Sequence, residues 1–113
     1  MTLSKTAHGP VEVLSFPDSL SAVTAADVRQ ELKELIQSGR SRLVMDMAKV
    51  RFVDSSGLSV FVVALKAARA QGGDVVLLKL TPEVRSIIEL TRLHRVFEIF
   101  DDLDAAIAKL KRV

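Results

Sequence analysis

The spacing of apolar residues changes along this chain, and that change restricts the fold more than any other feature. Residues 43–45 and 74–78 are runs of mostly apolar residues, which is typical of strands covered on both faces of a sheet. Elsewhere apolar residues recur at spacings of three and four, as in Ala25, Val28 and Leu32, which indicates an amphipathic helix. Strands that alternate with helices predict an α/β fold with a mostly parallel sheet.

The predicted order of elements is β-β-α-β-α-β-α-β-α. Thr24 is predicted to cap the first helix, with Asp27 in the capping-box position and Gly39 as the stop. Thr81 is predicted to cap the third helix. The chain has 113 residues, 49% of them hydrophobic, which predicts one folded domain over residues 1–113. The predicted strands are residues 3–7, 11–16, 43–45, 74–78 and 96–100, and the other predicted helices are residues 58–70, 82–91 and 103–110.

Charge and composition argue against several classes of function. The net charge is only +2, the basic residues are scattered, and the only aromatic residues are five Phe, so direct nucleic-acid binding is not expected. The absence of cysteine excludes disulfides and Cys-based zinc sites. No apolar run suits a signal peptide or approaches the roughly 20 residues of a membrane span. We therefore expect a cytoplasmic protein with no membrane contact.

The chain also lacks the patterns of the common catalytic and cofactor sites. It has no H-E-x-x-H, no G-x-x-x-x-G-K-[ST] and no G-x-G-x-x-G. Its two histidines, His8 and His94, stand apart from any orienting acid, and neither Ser55 nor Ser56 has the G-x-S-x-G surroundings of a hydrolase nucleophile. The sequence therefore predicts no catalysis, no metal and no cofactor.

One short segment, residues 54–57, is polar and small between two strongly apolar runs, at a predicted junction of strand and helix. The simplest interpretation is that Asp54 or Ser55 caps the helix. A compatible interpretation is phosphorylation of Ser55, because a helix start tolerates phosphate. The added charge beside Asp54 would repel a partner docked there while the fold persists.

In its wider context this segment resembles the STAS domain of bacterial anti-sigma-factor antagonists. The resemblance is carried by residues 42–47 and 50–58 and continues through 70–77, 81–84 and 93–102. It implies a four- to five-stranded mixed sheet with helices packed on one side, and phosphorylation on the first serine after the aspartate, here Ser55. It further implies a GHKL-type serine kinase that is also an anti-sigma factor, bound only by the unphosphorylated protein, and a PP2C-type phosphatase that resets the switch. ATP belongs to the kinase in that scheme.

One stretch departs from the family pattern. The family usually has G-x-L-D followed by T-A before the first helix, and here Asp18 replaces the glycine and Ser21 the aspartate. In the family that aspartate lies near the phosphorylated serine and the partner surface. The predicted partner-binding residues are Ser19, Ser21, Thr24, Asp54, Ser56, Gly57 and Leu58.

Three questions stay open at this point. Leu58 suits a core position as well as a partner contact, and Gly57 suits a close backbone approach as well as an ordinary first helical turn. The alternative function is a STAS subunit of a stressosome-like or lipid-transport complex. In that case the helix over residues 58–70 would dock the partner and Ser55 would not be modified.

Overall fold

A computed structural model describes residues 3–113 of the chain. Met1 and Thr2, which the predicted domain includes, lie outside the described residues. The strands are β1 (Ser4–His8), β2 (Val11–Ser15), β3 (Ser19–Leu20), β4 (Arg42–Asp46), β5 (Phe52–Val53), β6 (Asp74–Leu78) and β7 (Ile99–Phe100). The helices are α1 (Ala22–Gln37), α2 (Ser55–Ala70), α3 (Pro82–Leu90) and α4 (Leu103–Lys111), and a 3₁₀ turn spans Leu93–Arg95.

Five strands form one mixed sheet in the order β1-β2-β4-β6-β7. Only β1 runs antiparallel to its neighbour, and the pairs β2–β4, β4–β6 and β6–β7 are parallel. The predicted α/β fold with a mostly parallel sheet is therefore confirmed. A separate parallel pair, β3 with β5, was not predicted, since two residues in each strand are too few for a periodic pattern.

The prediction that all helices pack on one side of the sheet is wrong for α4. Helices α1, α2 and α3 share a core with one set of strand residues, including Leu43, Met45 and Leu77. Helix α4 packs against the alternate set, including Val44 and Val76. Successive residues of a strand face opposite sides, so both faces of β4 and β6 are apolar. An uncovered second face would leave those valines in water, and α4 covers it.

Helix boundaries follow the capping side chains. Helix α1 begins at Ala22 and its N-cap is Ser21, three residues before the predicted cap Thr24. Thr24 is instead the third helical residue, and its side chain accepts a hydrogen bond from the Ser21 N–H in a capping box. The predicted stop at Gly39 is confirmed, since its φ of +99° follows the last turn. Thr81 caps α3 as predicted, and its side chain accepts a hydrogen bond from the Val84 N–H at 3.4 Å.

The last strand is shorter than the predicted span of residues 96–100. The 3₁₀ turn Leu93–Arg95 continues into a hydrogen bond from the Phe97 N–H to the Leu93 carbonyl at 2.9 Å. This bond keeps Phe97 out of the sheet and places its buried side chain in the core. None of the helices within residues 3–113 is long and apolar enough to cross a membrane.

A candidate partner-binding site at the starts of two helices

The small β3–β5 pair places two helix starts side by side. Ser19 pairs with Phe52 and Leu20 pairs with Val53 in parallel register. The Asp54 N–H continues the pairing, since it donates to the Leu20 carbonyl at 3.2 Å. Because α1 follows β3 and α2 follows β5, the first turns of both helices lie at the same end of the molecule.

The carboxylate of Asp54 joins these two helix starts. One oxygen, Oδ1, accepts a hydrogen bond from the Gly57 N–H at 3.0 Å and so caps α2. The other oxygen, Oδ2, accepts from the Ala22 N–H, the first residue of α1, at 3.1 Å. Free N–H groups at a helix start carry partial positive charge, so one carboxylate stabilises two helix dipoles. Of the two predicted capping residues, Asp54 caps α2.

Three predicted site residues form a local network at the start of α1. The Ser21 hydroxyl accepts from the Val23 N–H at 3.3 Å, and the Thr24 hydroxyl accepts from the Ser21 N–H at 3.1 Å. The Thr24 hydroxyl also donates to the Ser19 carbonyl at 3.4 Å. Ser21 and Thr24 thus fix the position of the α1 start, and all three residues stay half-buried beside the Asp54 segment.

Ser55 is the first residue of α2 and its side chain is exposed. Its hydroxyl has no hydrogen-bond partner in the part of the chain that the structure describes. Ser56 differs in burial, since its side chain is half-buried; its backbone carbonyl accepts a hydrogen bond from the Ser59 hydroxyl at 2.8 Å. A group attached to the Ser55 hydroxyl would therefore break no hydrogen bond among the described residues.

Gly57 and Leu58 are held against the fold. A Cβ atom at Gly57 would overlap the Leu20 carbonyl oxygen and lie 2.9 Å from a Val53 methyl group. This geometry supports the close-approach interpretation of Gly57, whose N–H also bonds Asp54 within the first turn. Leu58 is half-buried and packs against the main core, so its side chain has a structural role beside any partner contact.

Two exposed apolar side chains extend the site beyond the predicted residues. Val23, in the first turn of α1, is 86% exposed, and Phe52, two residues before Asp54, is 54% exposed. Sequence analysis missed both as surface residues. Neither has a sequence signal: Val23 stands in the first turn of α1, and the strand in which Phe52 precedes the buried Val53 is only two residues long. Exposed apolar groups beside polar ones are typical of surfaces that bind proteins.

Among the described residues, metal-ligating side chains form no cluster at this site. Throughout residues 3–113, no group of three or more His, Cys, Asp or Glu side chains could hold a metal ion. His8 lies at the end of β1, and His94 lies in the 3₁₀ turn Leu93–Arg95. What the arrangement offers is an exposed hydroxyl, one carboxylate and two apolar side chains on a firmly held surface.

Comparison with known proteins identifies the family. The STAS domain family model matches residues 2–106. The anti-sigma-B factor antagonist of Listeria monocytogenes is 32% identical over 80 residues, which cover 71% of this chain and 70% of the relative. The anti-sigma F factor antagonist of Paenibacillus polymyxa is 26% identical over 107 residues, covering 94% of this chain and 92% of that protein.

Solved structures show the same fold. The anti-sigma factor antagonist SpoIIAA in its unphosphorylated form matches with a TM-score of 0.84 at 18% identity, over 98% of this chain and 97% of that chain. Its phosphorylated form, described as a Bacillus cell fate determinant, matches with a TM-score of 0.75 at 17% identity, over 95% and 97% of the two chains. With a family model that covers nearly all its residues and relatives named as anti-sigma factor antagonists, the chain belongs to the STAS domain family.

Proposed function

We propose that this chain is an anti-sigma factor antagonist that binds a serine-kinase anti-sigma factor and is released when Ser55 is phosphorylated. The observation that carries the proposal is the position of Ser55: its side chain is exposed at the start of a helix, and its hydroxyl has no hydrogen-bond partner among the described residues. Its immediate neighbour Asp54 fastens that helix to the start of α1. The hydroxyl is therefore accessible on a surface that does not depend on it.

The fold tolerates a phosphate on Ser55. Phosphate at a helix N-terminus interacts favourably with the helix dipole, and this interaction contributes about 0.3–1 kcal/mol. The capping bonds of α2 come from Asp54 and remain in place. The relative SpoIIAA has been solved in both unphosphorylated and phosphorylated forms, which supports a fold that persists through the modification.

A docked partner, in contrast, would not tolerate the phosphate. Val23, in the first turn of α1, and Phe52, three residues before Ser55, offer exposed apolar contact area. A partner that covers them together with Ser55 would exclude water from the hydroxyl. The phosphate adds roughly −1.5 to −2 charges beside the Asp54 carboxylate. Removing that charge from water without a matched cation costs several kcal/mol, on the order of a hundredfold or more in affinity.

The partners follow from this scheme. A GHKL-type serine kinase would act as anti-sigma factor and bring the ATP, and a PP2C-type phosphatase would restore the hydroxyl. This chain would contribute a binding surface and an acceptor serine, with no catalysis of its own. Ser21 is a neutral N-cap at the position where the family pattern has an aspartate. We therefore expect the contact surface of the kinase to accommodate a serine at this position. Sigma-factor control of this kind takes place in the cytoplasm.

The first test is phosphorylation in vitro. GHKL-type kinases from the organism that carries this gene are incubated with ATP and the chain, and the product is mapped by mass spectrometry. We expect one phosphate on Ser55, none on Ser55→Ala, and unchanged labelling of Ser56→Ala. A phosphate found only on another residue would overturn the assignment of Ser55.

The second test measures binding by calorimetry. Ser55→Asp adds a charge at the site, and Ser55→Asn is the matched control because it has nearly the same size without the charge. We expect Ser55→Asp to weaken kinase binding by at least about tenfold and Ser55→Asn to weaken it much less. Equal affinities for the two variants would rule out charge as the basis of release.

A further inference from the structure

A groove runs between α1 and α2, lined by residues of both helices. Its volume is about 440 Å³, within the usual range of small-molecule sites. The groove exists because α2 presents small side chains there, including Ala64 and Ala67, opposite Ile36 of α1. Val63, on the open side, is 48% exposed. This space, called the α1–α2 groove below, is separate from the proposed phosphorylation site.

The charges at the α1–α2 groove have one sign. The groove is lined by two basic residues of α1, Arg29 and Lys33. The other polar residues that line it, Gln37 and Gln71, are neutral, and none of the lining residues carries a carboxylate. Lys33 forms no ion pair among residues 3–113. The Arg29 guanidinium makes one exposed hydrogen bond, to the Ser59 hydroxyl at 3.3 Å. The groove therefore combines an apolar floor with two cations that lack an anionic partner in the described part of the chain.

We propose that the α1–α2 groove binds a medium-chain fatty carboxylate. The alkyl chain would lie along Ile36, Val63 and Ala67, and the carboxylate would bind Arg29 and Lys33. From Val60 to Ala70 the α2 wall is about 15 Å long at 1.5 Å per residue, a length that suits an extended alkyl chain. A neutral ligand would leave the two cations unused, and a cationic ligand would be repelled by them.

The test is a titration of ¹⁵N-labelled protein with decanoate, below the concentration at which decanoate forms micelles, followed by NMR. We expect saturable shifts of α1 and α2 amides that line the groove, with a Kd on the order of 1 mM or tighter. Butyrate, which has the same head group and a short chain, should bind at least about tenfold more weakly. Decyltrimethylammonium, which has the same chain and the opposite charge, should also bind more weakly.

Matched variants separate the two parts of the groove. Lys33→Glu should weaken decanoate binding by about fivefold or more. Lys66→Glu is the control, because Lys66 is exposed on α2 but does not line the groove. Ala67→Leu should reduce binding by filling the groove, with its folded state checked from the same spectra. If Ala67→Leu does not fold, the exposed Ala70→Leu replaces it.

Three results would overturn the proposal. They are the absence of saturable shifts, equal binding of decanoate and decyltrimethylammonium, and equal weakening by Lys33→Glu and Lys66→Glu. Shifts caused only by an acidic amphipathic peptide, with none from decanoate, would assign the groove to a protein helix instead. None of these outcomes depends on phosphorylation of Ser55, so the fatty-carboxylate proposal and the proposed function can fail independently.

Discussion

Replacing Asp54 by alanine should destabilise this protein more than removal of an ordinary helix cap. The carboxylate accepts two backbone hydrogen bonds, from Gly57 at 3.0 Å and from Ala22 at 3.1 Å. Loss of an N-cap typically costs about 1 kcal/mol, and a bond to a charged acceptor contributes about 1.5 kcal/mol or more. The sum for Asp54→Ala is about 2–3 kcal/mol, which corresponds to a fall in Tm of about 10 °C for a domain of this size.

The measurement is urea unfolding followed by circular dichroism, with Asp102→Ala as the matched control. Asp102 caps α4 through one bond, to the Ala105 N–H at 2.9 Å, so its loss should cost about 1 kcal/mol. Asp54→Asn keeps one acceptor oxygen, so its free energy of unfolding should lie between those of Asp54→Ala and the parent. If Asp54→Ala and Asp102→Ala lower the free energy of unfolding equally, the bond to α1 contributes nothing and the two-helix role of Asp54 is wrong.

Three further variants test other parts of the structure. Gly57→Ala should lower the free energy of unfolding, measured by urea titration. Alanine favours helix over glycine by about 1 kcal/mol, but its Cβ atom would overlap the Leu20 carbonyl oxygen. An increase in the free energy of unfolding would contradict the close approach. Leu110→Ala should cost about 2–5 kcal/mol in the same assay, because Leu110 is fully buried between α4 and the sheet; a change near zero would mean that α4 does not cover that face. Phe52→Ser should leave stability within about 0.5 kcal/mol and weaken kinase binding in calorimetry by at least about tenfold; unchanged affinity would remove Phe52 from the site.

The regular elements could be predicted because their patterns are long. Strand β4 contains the apolar run 43–45 and β6 the run 75–78, and α1 repeats Val28, Leu32 and Ile36 at a helical spacing. The placement of α4 was one part of the fold prediction that failed. The apolar runs of β4 and β6 already required cover on both faces, but only the three-dimensional packing shows which helix crosses to the second face.

The segment that carries the candidate site could be predicted from the sequence, but the contacts that join its parts could not. The segment Asp54 to Leu58 stands out as a polar interruption between apolar runs, and capping by Asp54 was one of two predicted options. The first helix was predicted to be capped by Thr24, but Ser21 is the N-cap and Thr24 is the third helical residue, in a capping box with it. The second bond of Asp54, to Ala22, depends on a strand pair of two residues each, too short to detect in a sequence.

The bond between Asp54 and Ala22 has a consequence for when the site comes into being. It joins residues 32 positions apart, and the β3–β5 pair beside it is equally non-local. Contacts with a large sequence separation carry a loop-closure cost that local helical contacts do not, so they form more slowly; the chain between these residues includes α1 and β4. A partly folded copy can contain both helices and still lack the joined surface. The proposed partner-binding surface would thus be available only on chains that have completed folding, so incomplete copies would not compete for the proposed partner.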